Sequence, residues 1–230
     1  MSQIICIAGV SNSGKSTSIK YLDPETTFIV SCTNKQLQIP GFRKKYPKFE
    51  IKDKKPVGNW YISNKYEQIN KILDIVSKMR DDIKTIVVDD INYCLSGEIM
   101  DNAMVKGFDK FTIQAKNYYD LIMKCGELRD DLTIVIMSHI INDGSDVDPS
   151  YKLYSSGKML DRTVNLDGLF SYIIYSERVV DDNGDIVYRF RTKTNGNDTC
   201  RTVAGCFNDK YIEPNLKLVI DTINKFESGE

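Results

Sequence analysis

Short runs of apolar, mostly β-branched residues recur along the chain at Gln3–Ala8 (QIICIA), 27–32 (TFIVSC), Thr85–Asp89 (TIVVD) and Thr133–Ser138 (TIVIMS). They do not alternate with polar residues as a half-wet strand does. Unbroken apolar runs of this length mark strands covered on both faces, which is the habit of parallel sheets. Between them, apolar positions fall at helical spacing over Tyr66–Met79, 93–104 and 110–128, and a shorter helical stretch at 16–22 is stopped by Asp23-Pro24. Strand and helix alternate, so the pattern predicts an α/β fold: a three-layer core around a mostly parallel central sheet.

After residue 167 the texture changes. Residues 169–175 and Ile186–Arg191 alternate and are rich in aromatics, and they flank Asp181-Asp182-Asn183-Gly184, a strong hairpin turn. The sheet is expected to continue there as a C-terminal antiparallel hairpin, with an amphipathic helix over 216–226 closing the chain. Two stretches fit neither pattern, 34–65 and 142–165, and loops of that length in a compact domain are usually functional or mobile. The expected organisation is one domain over 1–230 with an insertion at about 34–65 and a mobile loop at about 142–165.

The segment GVSNSGKST at 9–17 follows the first apolar run and carries the spacing G-x-x-x-x-G-K-S in full. Gly9 and Gly14 let the backbone fold around phosphate, so that the N–H groups of Ser11, Asn12 and Ser13 and the start of the following helix point at the anion. Lys15 is expected to reach the β- and γ-phosphates of a nucleotide, Ser16 to hold Mg²⁺, and Thr17 to lie near the α-phosphate.

A site of this kind needs an acidic residue at the tip of a neighbouring buried strand, and TIVVDD supplies two. Asp89 is the expected metal-side residue. Asp90 is placed either to orient or deprotonate an attacking water, or to cap a helix beginning near Tyr93; Glu98 is a fallback base. At the tip of TIVIMS, Ser138 and His139 are either a sensor of the γ-phosphate or structural residues.

Composition adds limits. A net charge of −1 over 230 residues excludes a chain that is basic throughout. The six cysteines are scattered and form no C-x-x-C pair, and His139 is the sole histidine, so buried reduced thiols are expected rather than a disulfide or zinc framework. No signal peptide precedes the first strand and no apolar run approaches ~20 residues, so the cell interior and no membrane are expected.

The local distribution of charge is uneven. Residues 34–65 hold nine basic side chains against Glu50 and Asp53, an excess of seven positive charges that leaves −8 for the remainder. Arg43, Lys44 and Lys45 lie among Phe42, Tyr46, Phe49, Trp60 and Tyr61, and cations interleaved with aromatic rings suit unstacked bases and their phosphates. The alternative is a solvated basic loop whose aromatics pack on the core. Residues 142–165 add Lys152, Lys158 and Arg162 beyond the possible sensor, behind an acidic start at Asp143, Asp146 and Asp148.

With these pieces in hand, the chain resembles P-loop ATPases of the RecA-like fold, in particular small phage-encoded ATPases grouped with single-strand annealing and recombination proteins. The matching segments are GVSNSGKS, NKQLQIPGF, TIVVDDINY with Glu98 behind it, KCGELRDDLTIVIMSH, SSGKMLDRTVNLDGLF, and RTKTNGNDTCRTVAGCF followed by IEPNL. The resemblance implies an ATP-binding core that assembles with copies of itself and acts on single-stranded DNA, with a single-strand-binding protein as a candidate partner, in the host cytoplasm. It implies that the loop after the fourth strand touches DNA, and that among Arg191, Lys193 and Arg201 it is Lys193 that reaches a neighbour's γ-phosphate. One departure is plain: RecA-like enzymes often place a glutamate after the second strand, and here FIVSCTN carries no carboxylate. Hydrolysis is therefore expected to be slow or to depend on Asp90.

Three classes of function remain open on the sequence: an oligomeric ATPase acting on single-stranded DNA, a P-loop kinase for a nucleoside or nucleotide, and an ATP-regulated DNA-annealing module without turnover.

Overall fold

The computed structural model describes residues 1–107, 109–155 and 165–229. In chain order its strands are β1 (Gln3–Ala8), β2 (Thr27–Ser31), β3 (Glu50–Lys52), β4 (Lys55–Val57), β5 (Trp60–Ile62), β6 (Thr85–Asp89), β7 (Thr133–Ser138), β8 (Ile140–Asn142), β9 (Tyr151–Leu153), β10 (Tyr172–Val180), β11 (Ile186–Arg191) and β12 (Tyr211–Ile212). The helices are α1 (Phe42–Lys45), α2 (Tyr66–Met79), α3 (Asn92–Asp101), α4 (Asp109–Gly126) and α5 (Leu216–Ser228).

Eight of these strands form one sheet in the order β12-β11-β10-β1-β7-β6-β2-β5. The inner pairings from β10 to β5 are parallel, and β11 and β12 extend the sheet antiparallel. The four apolar runs are its centre, and β1, β2, β6 and β7 alternate their side chains between two separate cores. Cys6, Val30, Val88 and Ile136 pack with α2, α3 and α4 on one face. Ile7, Ile29, Val87 and Met137 pack with Ile19, Phe42 and α5 on the other. Burial on both faces is why these runs are continuous rather than alternating. The protein is thus α/β with a large, mostly parallel sheet covered by helices.

Several expectations need correction. Residues 16–22 do not form an α-helix: Ser16–Tyr21 is a six-residue 3₁₀ helix, ended by extended Leu22 ahead of Asp23-Pro24. The C-terminal hairpin exists, but its first strand joins β1 in parallel, and only the β10–β11 and β11–β12 pairings are antiparallel.

The segment 34–65 is largely structured. It contains α1, the hairpin β3–β4 turning through Asp53 and Lys54 at positive φ, and β5, which pairs with β2 as the edge of the main sheet. Its aromatic rings face inward. Phe42 and Tyr46 are buried, Trp60 crosses Phe42 edge-to-face at 5.0 Å, and Phe49 packs edge-on against Phe28 and Tyr61. The start of the 142–165 stretch is also ordered, because β9 pairs antiparallel with β8.

Candidate functional site

The loop 9–17 leaves the carboxyl end of β1 and is held from the side by the β10–β11 hairpin. Ser176 Oγ donates to the Ser13 carbonyl at 2.8 Å. A Cβ on Gly9 would come within 2.4 Å of the Ser176 carbonyl oxygen and 2.7 Å of Ser13 Oγ, so only glycine fits this crossing. Gly14 has φ of +100°, a conformation other residues rarely adopt, and lies against the Tyr188 ring. Asn12 is also left-handed, at +59°.

Lys15 is buried within this loop, and its Nζ donates to the carbonyls of Gly9 at 2.7 Å and Val10 at 2.8 Å. Burial lowers its pKa to about 8, against the opposing pull of Asp90 and Asp89. Because the following helix is a single 3₁₀ segment, helix-dipole attraction contributes little here. An anion in this geometry would be met by the loop N–H groups and by Lys15.

Ser16 Oγ donates to Asp89 Oδ1 at 2.7 Å, bridging the loop to the tip of β6 although β7 lies between the two strands. Asp89 is fully buried, and its Oδ2 has no hydrogen-bond partner among the described residues. Burial, with the neighbouring Asp90 charge, raises its pKa to about 6 against the Ser16 hydrogen bond and the lysines. An orphaned carboxylate oxygen beside a serine hydroxyl suits a hydrated Mg²⁺, which takes one or two protein oxygens and completes its shell with waters and phosphate. Among the described residues no cluster of three or more His, Cys, Asp or Glu side chains offers an all-protein cage.

Asp90 turns away from Asp89 because its backbone is left-handed, with φ of +59°. Its carboxylate accepts from Lys35 Nζ at 2.7 Å and lies 3.3 Å from His139 Nε2. Burial acts to raise its pKa, but the His139 and Lys35 hydrogen bonds outweigh it and hold the group at about 2. The carboxylate does not cap α3, whose first turn lacks a side-chain cap. Of the two polar tip residues of β7, only His139 lines the cleft. Asn92 explains the split: its Oδ1 accepts from the His139 N–H at 2.6 Å and from Ser138 Oγ at 3.2 Å, while its Nδ2 donates to the Tyr154 carbonyl at 3.3 Å.

These groups surround a cleft of about 480 Å³, a size typical of small-molecule sites. Ser11, Asn12, Ser13, Gly14, Lys15, Ser16 and Thr17 line one wall; Lys35, Gln36, Leu37 and Gln38 line another; Asp90 and His139 stand at its base. The expected residues are therefore brought together. Lys35, Asn92 and Ser176 were not expected. Lys35 was visible only as one of nine cations, and Asn92 and Ser176 carry no local signal at all.

The remaining candidates lie elsewhere. Glu98 is absent from the cleft lining and accepts from Asn117 Nδ2 at 2.6 Å. Arg191 is 3% exposed and committed to Glu177 and to Asp198, the latter at 2.9 Å. Arg201 bonds the Phe170 and Asp167 carbonyls. Lys193 is exposed, with Nζ 2.7 Å from the Asn208 carbonyl. Arg43, Lys44 and Lys45 are exposed on α1, and Lys152 pairs with Asp143 at 2.9 Å. Lys158 and Arg162 lie outside the described residues. The idea that Phe42, Tyr46 and Trp60 stack on bases is excluded by their burial; the alternative, packing on the core, is what occurs. All six cysteines are buried, and no helix among the described residues is long and apolar enough to cross a membrane.

No protein-family model matches the chain, and a search of curated proteins finds no match.

Proposed function

We propose that this chain is an ATP-binding protein of the RecA-like P-loop type that hydrolyses ATP slowly and acts on single-stranded DNA as an assembly of identical subunits. The observation that carries the nucleotide half is the Ser16–Asp89 hydrogen bond beside buried Lys15, which joins a hydroxyl, a carboxylate and a cation at one end of a nucleotide-sized cleft. Magnesium bound there would neutralise charge on the β- and γ-phosphates. Lys15 would exchange the Gly9 and Val10 carbonyls for phosphate oxygens, and His139 and Lys35 would face the γ-phosphate end with Asp90 between them. The surplus of positive charge on 34–65, with Arg43, Lys44 and Lys45 exposed, supports the DNA half.

A second reading, ATP binding that drives assembly and annealing without turnover, is favoured by the state of Asp90. A carboxylate held near pKa 2 by hydrogen bonds from His139 and Lys35 is a poor general base at neutral pH. Phosphate release with and without single-stranded DNA, beside mass measurement in ATP and ADP, separates the two. The leading reading expects release that DNA stimulates and Lys15→Ala abolishes. Labelled phosphate appearing on a nucleoside acceptor instead of in solution would replace both with a kinase.

A further inference from the structure

At the carboxyl ends of β2 and β5 the fold opens a second cleft, of about 580 Å³, bordered by Thr33, Asn34, Asn64, Lys65, Gln68 and Tyr93. Its chemistry differs from that of the nucleotide cleft. Three residues with side-chain amides line it, and the amide of Asn64 lies beside Gly97 of α3. Among the described residues those of Asn34 and Asn64 make no hydrogen bond, and Gln68 uses only Oε1, which accepts from Ser63 Oγ at 2.7 Å. Thr33 Oγ1 is buried without a partner. Each amide offers a donor and an acceptor, the pairing that base edges require. Tyr93, at the rim, is 45% exposed, and an accessible tyrosine ring can stack on a base. The single cation, Lys65, is already paired with Asp101, so the cleft suits a planar, uncharged polar group rather than phosphate.

This cleft communicates with the nucleotide site by two routes. Tyr93 also borders a smaller cleft of about 270 Å³ that reaches Ser11 and His139. The loop following β2 turns Thr33 and Asn34 toward the second cleft and Lys35 toward the first, where Lys35 holds Asp90. Ligands of open α/β sheets sit at the carboxyl ends of the strands, where both clefts lie.

We propose that this second cleft binds a nucleobase, stacked on Tyr93 and read by the amides of Asn34, Asn64 and Gln68, and that the 33–38 loop couples its occupancy to the nucleotide. The proposal rests on the function proposed above, in which that base belongs to a single strand; a free nucleoside monophosphate is the other source of the same chemistry.

The test is fluorescence anisotropy of the full chain at low salt with labelled oligo(dT), the same oligonucleotide made abasic, and a mixture of the four nucleoside monophosphates as competitor. Wild type should bind oligo(dT) about tenfold more tightly than the abasic strand. Tyr93→Ala should lose that preference while Tyr93→Phe keeps it, and Gln68→Ala should weaken it. If wild type binds both strands and Tyr93→Ala and Gln68→Ala leave the preference untouched, the site is wrong although the DNA function stands. If wild type binds nucleotide but neither strand, the DNA half of the function fails. In that case, monophosphate binding measured directly by calorimetric titration and abolished by Tyr93→Ala would support the base site with a free nucleotide as its ligand, and no monophosphate binding would overturn it.

Discussion

Ser16 and Asp89 are joined by a 2.7 Å hydrogen bond across 73 residues of chain and across an intervening strand. The bond is made by a carboxylate that the fold keeps fully buried and leaves with one oxygen unpaired. A buried carboxylate with an unpaired oxygen costs the protein stability.

That cost is measurable through pH. An acid whose folded pKa is raised binds its proton more tightly in the folded state, so stability falls as pH rises from about 4, the unfolded value, through about 6. Above that window the full penalty, roughly 1–3 kcal/mol, is present. Asp89→Asn should therefore be more stable than wild type in EDTA at pH 7.5, with the difference shrinking by pH 4.5, in urea melts of both proteins. Under the proposed function, the same variant should lose the extra stabilisation that Mg²⁺ is expected to add to ATP. A constant difference across pH would show that Asp89 does not carry the penalty.

Under the proposed function, Lys35 should discriminate ATP from ADP. Its ammonium has three donors and spends one on Asp90, at the end of the cleft where a γ-phosphate would lie. Lys35→Ala is expected to weaken binding of a non-hydrolysable ATP analogue about tenfold, in keeping with a charge-assisted hydrogen bond, while leaving ADP affinity unchanged. Titration with fluorescent nucleotides checks this, and equal losses for both would reduce Lys35 to a partner of Asp90.

Gly9→Ala should disrupt the loop without removing any polar group. A methyl placed 2.4 Å from the Ser176 carbonyl forces β10 and the loop apart. Overpacking of this kind costs about 1–3 kcal/mol, and nucleotide affinity should fall together with the thermal midpoint. Normal affinity in a stable variant would mean that the hairpin does not shape the loop.

Arg191 and Lys193 should behave as opposites. Removing the buried Arg191 guanidinium takes the counter-ion from buried Asp198 and leaves Glu177 with Arg189 alone, so Arg191→Ala should cost about 3–5 kcal/mol and show as lost stability before any catalytic effect. Lys193→Ala should leave stability within about 0.5 kcal/mol of wild type. Under the proposed function it should lower only the activity of the assembled protein. Calorimetry beside phosphate release at low and high protein concentration distinguishes them.

The hydrophobic pattern by itself determined the four central strands and the α2 helix, because burial on both faces of a strand and on one face of a helix leaves marks within a few residues of each other. It also determined that Asp89 and Asp90 stand at a strand tip. What each aspartate faces was decided only by tertiary structure. The register of β6 against β2 and β7, and the left-handed turn at Asp90, send one carboxylate to Ser16 and the other to Lys35 and His139. The basic, aromatic segment at 34–65 reads the same in sequence whether its rings meet water or core. Only the packing of Phe42 against Trp60, and the pairing of β5 with β2, turned those rings inward and left the cations outside, because the edge of a parallel sheet still has an apolar face to cover.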